Sequence, residues 1–275
     1  MPPSVIEMAK QKSSLPVRVL RITHMAGLLV RGLSICTFRF PKLTVEERNT
    51  EISRWSTQLL AAAGMQVRTV GAPGEWPGRA MIVSNHISWI DVFAVLAVAP
   101  GVFVAKSEIR GWPLIGKLVT AVDTLYIERG KKSDVVRMNQ NIIAALASGR
   151  RVAICPEGTT TWGDELLRFH AALFQPAIEA GATLHPVGIR YLDASGDMTR
   201  AAGYVGEMSL MGSMWRIVSE QAMVVELHFA ATIESTGSDR RTLARTAEQL
   251  ICKVLGIASS QPAPETPADP RAAER

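Results

Sequence analysis

The chain has 275 residues, of which 47% are hydrophobic and 20% are charged. This much apolar side chain excludes a disordered, collagen-like or low-complexity protein, and the length allows one large domain or two small ones. Thirty Lys and Arg residues against 25 Asp and Glu give a formal net charge of +5. Such a mildly basic balance is compatible with a nucleic acid, an anionic membrane or a phosphorylated ligand as partner.

Cysteine usage and apolar runs narrow the class of protein. Cys36, Cys155 and Cys252 lie far apart and form no CxxC pair, which argues against a disulfide framework or a zinc site and favours a reducing compartment. No uncharged apolar run reaches the ~18–20 residues that span a bilayer, and the N-terminus does not resemble a cleavable signal peptide. We therefore expect no bound metal or cofactor.

The N-terminal part predicts a basic amphipathic helix. Residues 1–15 are expected to be a flexible leader, and residues 16–63 a helical segment that associates with a membrane. Between Pro16 and Phe40, aliphatic residues alternate with arginines, so a helix can bury its apolar side in the membrane interface. The alternative is a core helix with a solvated basic side. Residues 1–45 contain seven basic residues against one acidic residue, which favours the membrane interpretation.

Thr44 and Glu47 have capping-box spacing and predict a second helix that Gly64 ends. After it, apolar runs alternate with helical patterns, which predicts one α/β domain over 64–257 with a mostly parallel or mixed central sheet flanked by helices. Residues 258–275 contain four prolines and are expected to be a disordered tail. The predicted strands are 65–70, 80–84, 102–106, 124–128, 151–155, 184–190 and 223–230, and the predicted helices are 89–98, 133–147, 167–180 and 239–255.

One apolar strand runs into Asn85 and His86, and a helix is expected to begin near Ser88. If the chain turns between them, Asp91 can accept a hydrogen bond from one imidazole nitrogen of His86 and leave the other free as a base. Ligands of open α/β sheets bind beyond the carboxyl ends of the strands, where these residues lie. The alternative is that Asp91 only caps the helix and His86 is an ordinary residue at a strand end.

A second apolar strand runs into a loop of small and polar residues, Pro156 to Thr160, which carries the carboxylate Glu157. It is either a ligand-binding loop or a plain turn. Lys106 and Arg129 each follow a strand and either bind an anion or are solvated. The chain contains no GxSxG elbow, P-loop, GxGxxG or HExxH, so common serine hydrolases, NTPases, dinucleotide enzymes and zincins are disfavoured.

Together these stretches resemble the glycerolipid acyltransferase family, particularly bacterial 1-acylglycerol-3-phosphate acyltransferases. His86-x4-Asp91 is similar to the family's H-x4-D motif, and Pro156 to Thr159 to its P-E-G-T block. Lys106, Pro113, Gly116 and Arg129 resemble its second block, and residues 184–189 its fourth. All four occur in family order over 80–190.

The resemblance implies transfer of a fatty acyl group from an acyl carrier protein or coenzyme A thioester to a lysolipid hydroxyl. The acceptor is expected to be 1-acylglycerol-3-phosphate, and phosphatidic acid the product. His86 would deprotonate the hydroxyl, and Asp91 would hold the imidazole tautomer. The enzyme would act on the cytoplasmic face of a bacterial inner membrane as a monotopic or peripheral protein, with no nucleic-acid partner. Its substrate-binding residues would be Lys106, Arg129, Glu157, Gly158, Thr159 and Thr160.

One position departs from the family pattern. Thr160 stands where the family usually has an arginine that helps to hold the acceptor phosphate. A lyso-ornithine lipid is therefore the alternative acceptor. A lipid-binding protein without catalysis and a hydrolytic relative, in which water replaces the lipid hydroxyl, are further alternatives.

Overall fold

The structure is a computed structural model that describes residues 12–71, 79–112, 114–127 and 132–259. Arg129, Pro113 and most of the predicted leader and tail lie outside these ranges. The helices are α1 Leu15–Ser34, α2 Val45–Ala62, α3 Asp91–Val98, α4 Ile115–Ala121, α5 Lys132–Ala147, α6 Gln175–Ala180, α7 Leu210–Ser219 and α8 Arg240–Leu255. The strands are β1 Met65–Val70, β2 Ala80–Ser84, β3 Val102–Lys106, β4 Leu125–Ile127, β5 Val152–Ile154, β6 Glu165–Leu166, β7 Thr183–Asp193, β8 Met223–Phe229, β9 Ile233–Glu234 and β10 Ala258–Ser259.

The predicted α/β architecture with a mixed, mostly parallel sheet is confirmed. Within the described ranges, the main sheet has the strand order β1-β8-β7-β2-β5-β3-β4, and β9 also pairs with β7. All these pairs are parallel except β7–β8 and β7–β9. The carboxyl ends of β2, β5 and β7 therefore meet at one edge of the sheet, where the predicted motifs lie.

Two apolar layers cover the two faces of the sheet. One packs Ile82, Ile189 and Tyr191 against α1, α2, α3 and α7, and the other packs Met81 and Val83 against α5, α6 and α8. Alternate residues of β2 thus enter opposite layers, as the period of a strand requires. His86 is an even number of residues after Ile82, so we expect its side chain on the same face of the sheet, which is the face that α3 covers.

The N-terminal segment is helical, as predicted. α1 continues through a π-helical turn, Ile35–Arg39, and a short 3-10 turn, Phe40–Lys42, and the capping box of Thr44 and Glu47 opens α2. Among the described residues, Leu15–Lys42 is the one helical stretch whose length and composition would allow it to cross a membrane, and 22% of its apolar window is buried. α1 is thus partly a core helix, with Met25 and Leu28 in the interior.

Several predicted boundaries are wrong. Residues 12–15 are not part of a flexible leader, because the Ser13 N–H donates to the Ser219 carbonyl at 2.9 Å and Leu15 begins α1. Ala258–Ser259 pair with β6, so the expected tail cannot begin at residue 258. Residues 167–170 are extended rather than helical, because the Leu167 and Phe169 N–H groups donate to side-chain carboxylates elsewhere in the fold. Helices α4 and α7 were not predicted.

Candidate active site

The two predicted motifs meet where β2 and β5 end. These strands pair in parallel with Val83 opposite Ile154, which places the residues that follow them side by side. The His86 N–H donates to Glu157 Oε1 at 2.6 Å, and the Thr161 N–H donates to the His86 carbonyl at 2.9 Å. The H-x4-D turn and the P-E-G-T loop are therefore joined through their backbones.

His86 and Asp91 converge as the sequence predicted. His86 Nδ1 lies 2.9 Å from Asp91 Oδ2, Asp91 is fully buried, and the His86 side chain remains 22% exposed. The chain turns at residues 87–90, and α3 begins at Asp91 rather than at Ser88. With Nδ1 oriented towards the carboxylate, Nε2 is the ring nitrogen available for proton transfer.

Asp91 is held by four donors. Its Oδ2 accepts hydrogen bonds from His86 Nδ1 and from the N–H groups of Ile87, at 2.7 Å, and Ser88, at 2.8 Å. Its Oδ1 accepts from the Tyr191 hydroxyl at 2.5 Å. Burial raises the pKa of Tyr191 well above its ordinary 10.0, and the negative charge of Asp91 raises it further, so the hydroxyl stays protonated as a donor. Asp91 thus orients His86 as well as beginning a helix.

The surroundings of His86 favour its protonated form. Burial opposes the imidazolium charge, but the Cys155 sulfur and the Asp91 carboxylate beside the ring outweigh it and raise the pKa of His86 well above 6.5. Cys155 directly follows β5, and its sulfur lies 3.4 Å from Ser84 Oγ. An imidazole in this setting is a stronger base than free histidine.

Sequence reasoning missed two supporting residues. The side chain of Asn85 pairs with the backbone of Ile189, donating to its carbonyl at 2.9 Å and accepting from its N–H at 2.6 Å. Tyr191, two residues farther along β7, reaches Asp91. Asn85 directly precedes His86 of the H-x4-D motif, so its position was a signal in the sequence. Tyr191 is 100 residues from its partner and lies in a strand that reads as apolar core.

Glu157 contacts backbone groups, and its head-group contact stays a prediction. Glu157 is buried, and its two carboxylate oxygens accept hydrogen bonds from the backbone N–H groups of His86, at 2.6 Å, and Leu167, at 2.9 Å. Burial raises its pKa to about 7, against these hydrogen bonds, which lower it. Glu157 therefore holds the backbone of the H-x4-D turn.

The other predicted binding residues have mixed placements. The Thr160 hydroxyl donates to the Tyr204 carbonyl, and its head-group contact stays a prediction. Thr159 is exposed at the mouth of the loop, and Gly158 has φ +69°, a conformation that glycine adopts readily. Lys106 ends β3 with its side chain half-buried. Arg129 lies outside the described residues.

An apolar cavity adjoins this site. It has a volume of about 50 Å³ and lies between α1, α2, α3, α4 and β3. An aromatic chain links it to the H-x4-D turn, because Phe93 contacts both Trp55 and Trp89 edge-on. Its apolar lining includes Gly32, Ile35, Trp55, Phe93, Leu96, Phe103 and Leu118.

Comparisons with known proteins identify the family. Residues 67–190 match the family model described as Acyltransferase. The chain is 36% identical over 212 residues to the 1-acyl-sn-glycerol-3-phosphate acyltransferase of Neisseria meningitidis, covering 76% of this chain and 82% of that protein. It is 35% identical over 240 residues to the lyso-ornithine lipid O-acyltransferase of Pseudomonas aeruginosa, covering 85% and 91%.

The fold agrees with a solved structure of the same family. The 1-acyl-sn-glycerophosphate acyltransferase PlsC from Thermotoga maritima superimposes with a TM-score of 0.67 at 18% identity, covering 88% of this chain and 94% of that one. Three observations indicate the same family: the motifs, their convergence at one edge of the sheet, and the relatives that span most of the chain. The chain belongs to the acyltransferase family and is an acyltransferase of the lysophospholipid type.

Proposed function

We propose that His86 Nε2 removes the proton from the acceptor hydroxyl while that oxygen attacks the thioester carbonyl of the acyl donor. The thiolate then leaves and takes the proton from the His86 imidazolium. Asp91 holds the tautomer and offsets the charge on the ring. The observation that carries this proposal is the 2.9 Å contact between His86 Nδ1 and the fully buried Asp91.

The apolar cavity beside α3 is the proposed site of an acyl chain. Its lining is almost entirely aliphatic and aromatic, and burial of methylene groups there is favourable by about 0.8 kcal/mol each. At about 50 Å³ the cavity is smaller than a fatty acyl chain, so it must widen to admit one. The side chains around Leu118 and Phe93 must then move apart.

The proposed acceptor is 1-acylglycerol-3-phosphate, and phosphatidic acid is the product. The relative from Neisseria meningitidis named for this reaction supports it, as do the cations that the resemblance places at the head group, Lys106 and Arg129. The alternative acceptor is a lyso-ornithine lipid. It is favoured by Thr160, whose hydroxyl is engaged by the Tyr204 carbonyl and offers a phosphate no guanidinium, and by the Pseudomonas relative.

The acyl donor is proposed to be a thioester of acyl carrier protein or coenzyme A. The proposed location is the cytoplasmic face of a bacterial inner membrane, with α1 lying in the interface. Exposed apolar side chains on the N-terminal segment support this placement, because they would otherwise contact water: Leu15, Val19, Leu20, Val30 and Phe38.

Substitution of the base tests the mechanism. His86→Ala should lower diacyl-lipid formation by a factor of ~10² or more, since positioned proton transfer contributes about that much. His24→Ala is the matched control, because this imidazole is exposed on α1. Products are separated after incubation with an acyl thioester and a lysolipid. Undiminished turnover of His86→Ala would refute the mechanism, and free fatty acid as the main product would indicate a hydrolase.

A competition assay tests the acceptor. Purified enzyme receives 1-acylglycerol-3-phosphate and a lyso-ornithine lipid together, with each donor in turn, and kcat/KM is compared. We expect the phosphate acceptor to be preferred, and Thr160→Arg to increase that preference because a guanidinium binds phosphate through two hydrogen bonds. Preference of the wild-type enzyme for the ornithine lipid would select the alternative. An unchanged ratio in Thr160→Arg would remove residue 160 from the specificity argument.

A further inference from the structure

A second pocket opens on the surface near the C-terminal end of α7. It has a volume of about 360 Å³ and lies between residue 12, the loop that follows β7, and one side of α7. Neither His86 nor Asp91 contributes to it. Its lining consists of Lys12, Thr199, Arg200, Ala201, Trp215, Arg216, Ser219 and Glu220.

The lining carries more positive than negative charge. Lys12, Arg200 and Arg216 line the pocket with a single carboxylate, Glu220, which pairs with Lys12. Arg200 pairs with Asp164 just outside the pocket. Among the described residues, no carboxylate pairs with Arg216. The pocket therefore has a positive charge that the described part of the chain does not compensate.

Neutral groups hold Arg216 in place. It donates to the Arg200 carbonyl at 2.8 Å and to Met208 Sδ at 3.6 Å, and its guanidinium lies 5.4 Å from the centroid of the Trp162 ring. Arg200 lies 5.9 Å from the same centroid. Two guanidinium groups beside one indole repel each other, and a shared anion would convert that repulsion into attraction.

Groups that would repel an anion are already engaged. The C-terminal carbonyls of α7 carry partial negative charge close to the pocket. Arg21 donates to the Val218 carbonyl at 3.0 Å and to the Glu220 carbonyl at 2.6 Å, and Ser13 Oγ donates to Val218 at 2.8 Å. The negative end of α7 is thus neutralised by the N-terminal segment before any ligand arrives.

Exposed apolar side chains lie on α1 and on α7, the helix that lines the cationic pocket. Leu15, Val19 and Leu20 project from the first turns of α1 with more than half of their surface exposed, and α1 contacts α7. On α7, Met211 is 62% and Trp215 is 42% exposed, and Arg18 lies 5.4 Å from the Trp215 ring. A cationic pocket beside exposed aliphatic and aromatic groups fits an amphiphile with an anionic head.

We propose that this pocket binds the phosphate of an anionic phospholipid in the membrane on which the enzyme acts. Arg216 and Arg200 hold the phosphate oxygens, and the lipid's chains lie along α1 and Trp215. A phosphate without a neighbouring ammonium group is preferred, because a choline or ethanolamine head would place a cation against the arginines. This binding does not depend on the proposed reaction.

Vesicle flotation of the full-length protein tests the proposal. Binding is compared between vesicles of phosphatidylcholine alone and vesicles containing a quarter phosphatidylglycerol. The measured quantity is the affinity for the vesicles with phosphatidylglycerol divided by the affinity for phosphatidylcholine alone. This ratio should be about tenfold smaller for Arg216→Gln than for wild type, because the variant loses a paired phosphate contact. The ratio should fall less in Arg216→Lys, because lysine keeps the positive charge but lacks the guanidinium that binds phosphate through two hydrogen bonds. Arg240→Gln, an exposed arginine on α8, is the matched control and should behave as wild type.

Three other outcomes would contradict the proposed lipid site. An equal loss in Arg216→Gln and Arg240→Gln would mean that diffuse charge, not this site, selects anionic membranes. Unchanged selectivity in Arg216→Gln with intact circular dichroism would overturn the proposal directly. Calorimetry with inorganic phosphate in the absence of vesicles separates the two phosphate sources: tight binding by wild type that Arg216→Gln abolishes would assign the pocket to a soluble phosphate and overturn the lipid assignment.

Discussion

The corner at His86 and the cationic pocket at Arg216 balance charge in opposite ways. Asp91 is surrounded by four donors from the protein itself, including Tyr191. Arg216 is held by a carbonyl, a sulfur and an indole, all neutral. A charge whose partners are built into the fold orients its neighbours, whereas a charge without a counter-ion is suited to a ligand.

This difference predicts which property of the protein a substitution in each region changes. Changes in the corner at His86 should alter turnover and stability together, because the same hydrogen bonds orient His86 and satisfy buried groups. Changes in the cationic pocket should alter membrane selectivity and leave stability nearly unchanged. Substitutions around His86 test whether turnover and stability do change together.

The largest effect is expected for Asp91→Asn. The amide NH₂ would face donors where a carboxylate oxygen now accepts, and it would favour the wrong tautomer of His86. We expect kcat to fall by ~10³ or more, and the free energy of unfolding to fall by about 2–3 kcal/mol. Asp123→Asn is the control, since its carboxylate is 55% exposed and pairs with Arg150 at the surface. Normal turnover in Asp91→Asn would contradict the role given to the carboxylate.

Glu157 should make stability depend on pH. Its pKa is about 7 in the folded protein against an ordinary value of 4.5, so the folded state binds a proton that the unfolded state releases. The free energy of unfolding should therefore fall by about 3 kcal/mol as pH rises from 4.5 to 7. Denaturation at several pH values should show a flatter profile in Glu157→Gln and no change in Glu165→Gln, an exposed glutamate. Identical slopes for wild type and Glu157→Gln would contradict the buried, protonated carboxyl.

Tyr191→Phe should have a smaller effect. It removes one donor from Asp91 Oδ1 and leaves the other three. We expect kcat to fall roughly tenfold and stability by about 1–2 kcal/mol. The less stabilised carboxylate should raise the pKa of His86 further, so the acidic limb of the rate profile moves to higher pH. A loss of stability without any shift of that limb would reduce Tyr191 to a packing role.

The smallest expected effect is a displacement of the wild-type pH profile. The base must be neutral to accept a proton, and Asp91 and Cys155 raise the pKa of His86 well above 6.5. The value of kcat/KM should therefore fall as pH drops through a midpoint above 6.5, with the fold intact. A midpoint at or below 6.5 would mean that burial outweighs the two neighbours.

The catalytic pair was predictable because both of its ends have local signals. An apolar run that ends in Asn85 and His86 predicts a strand mouth, and Asp91 is close enough in sequence that a single turn returns it to the imidazole. Local pattern therefore sufficed to predict that His86 and Asp91 converge.

The supporting contacts were not predictable, because they depend on distant backbone groups. Glu157 resembles a ligand at a loop mouth, yet two buried N–H groups require its carboxylate. Residues 167–170 have a helical pattern, but the Glu157 and Glu248 carboxylates hold them extended. Tyr191 reads as one more core residue in an alternating strand. In each case, a partner far away in sequence decides the outcome.

The hydrogen bond from Trp55 Nε1 to the Leu28 carbonyl, at 2.8 Å, joins the first helix to the second. Together with Arg21, which caps α7, it means that the N-terminal helix is not a removable anchor. A shortened enzyme that starts after Lys42 would uncover the Trp55 side chain and leave the last carbonyls of α7 without donors. Such trimming would therefore destabilise the fold.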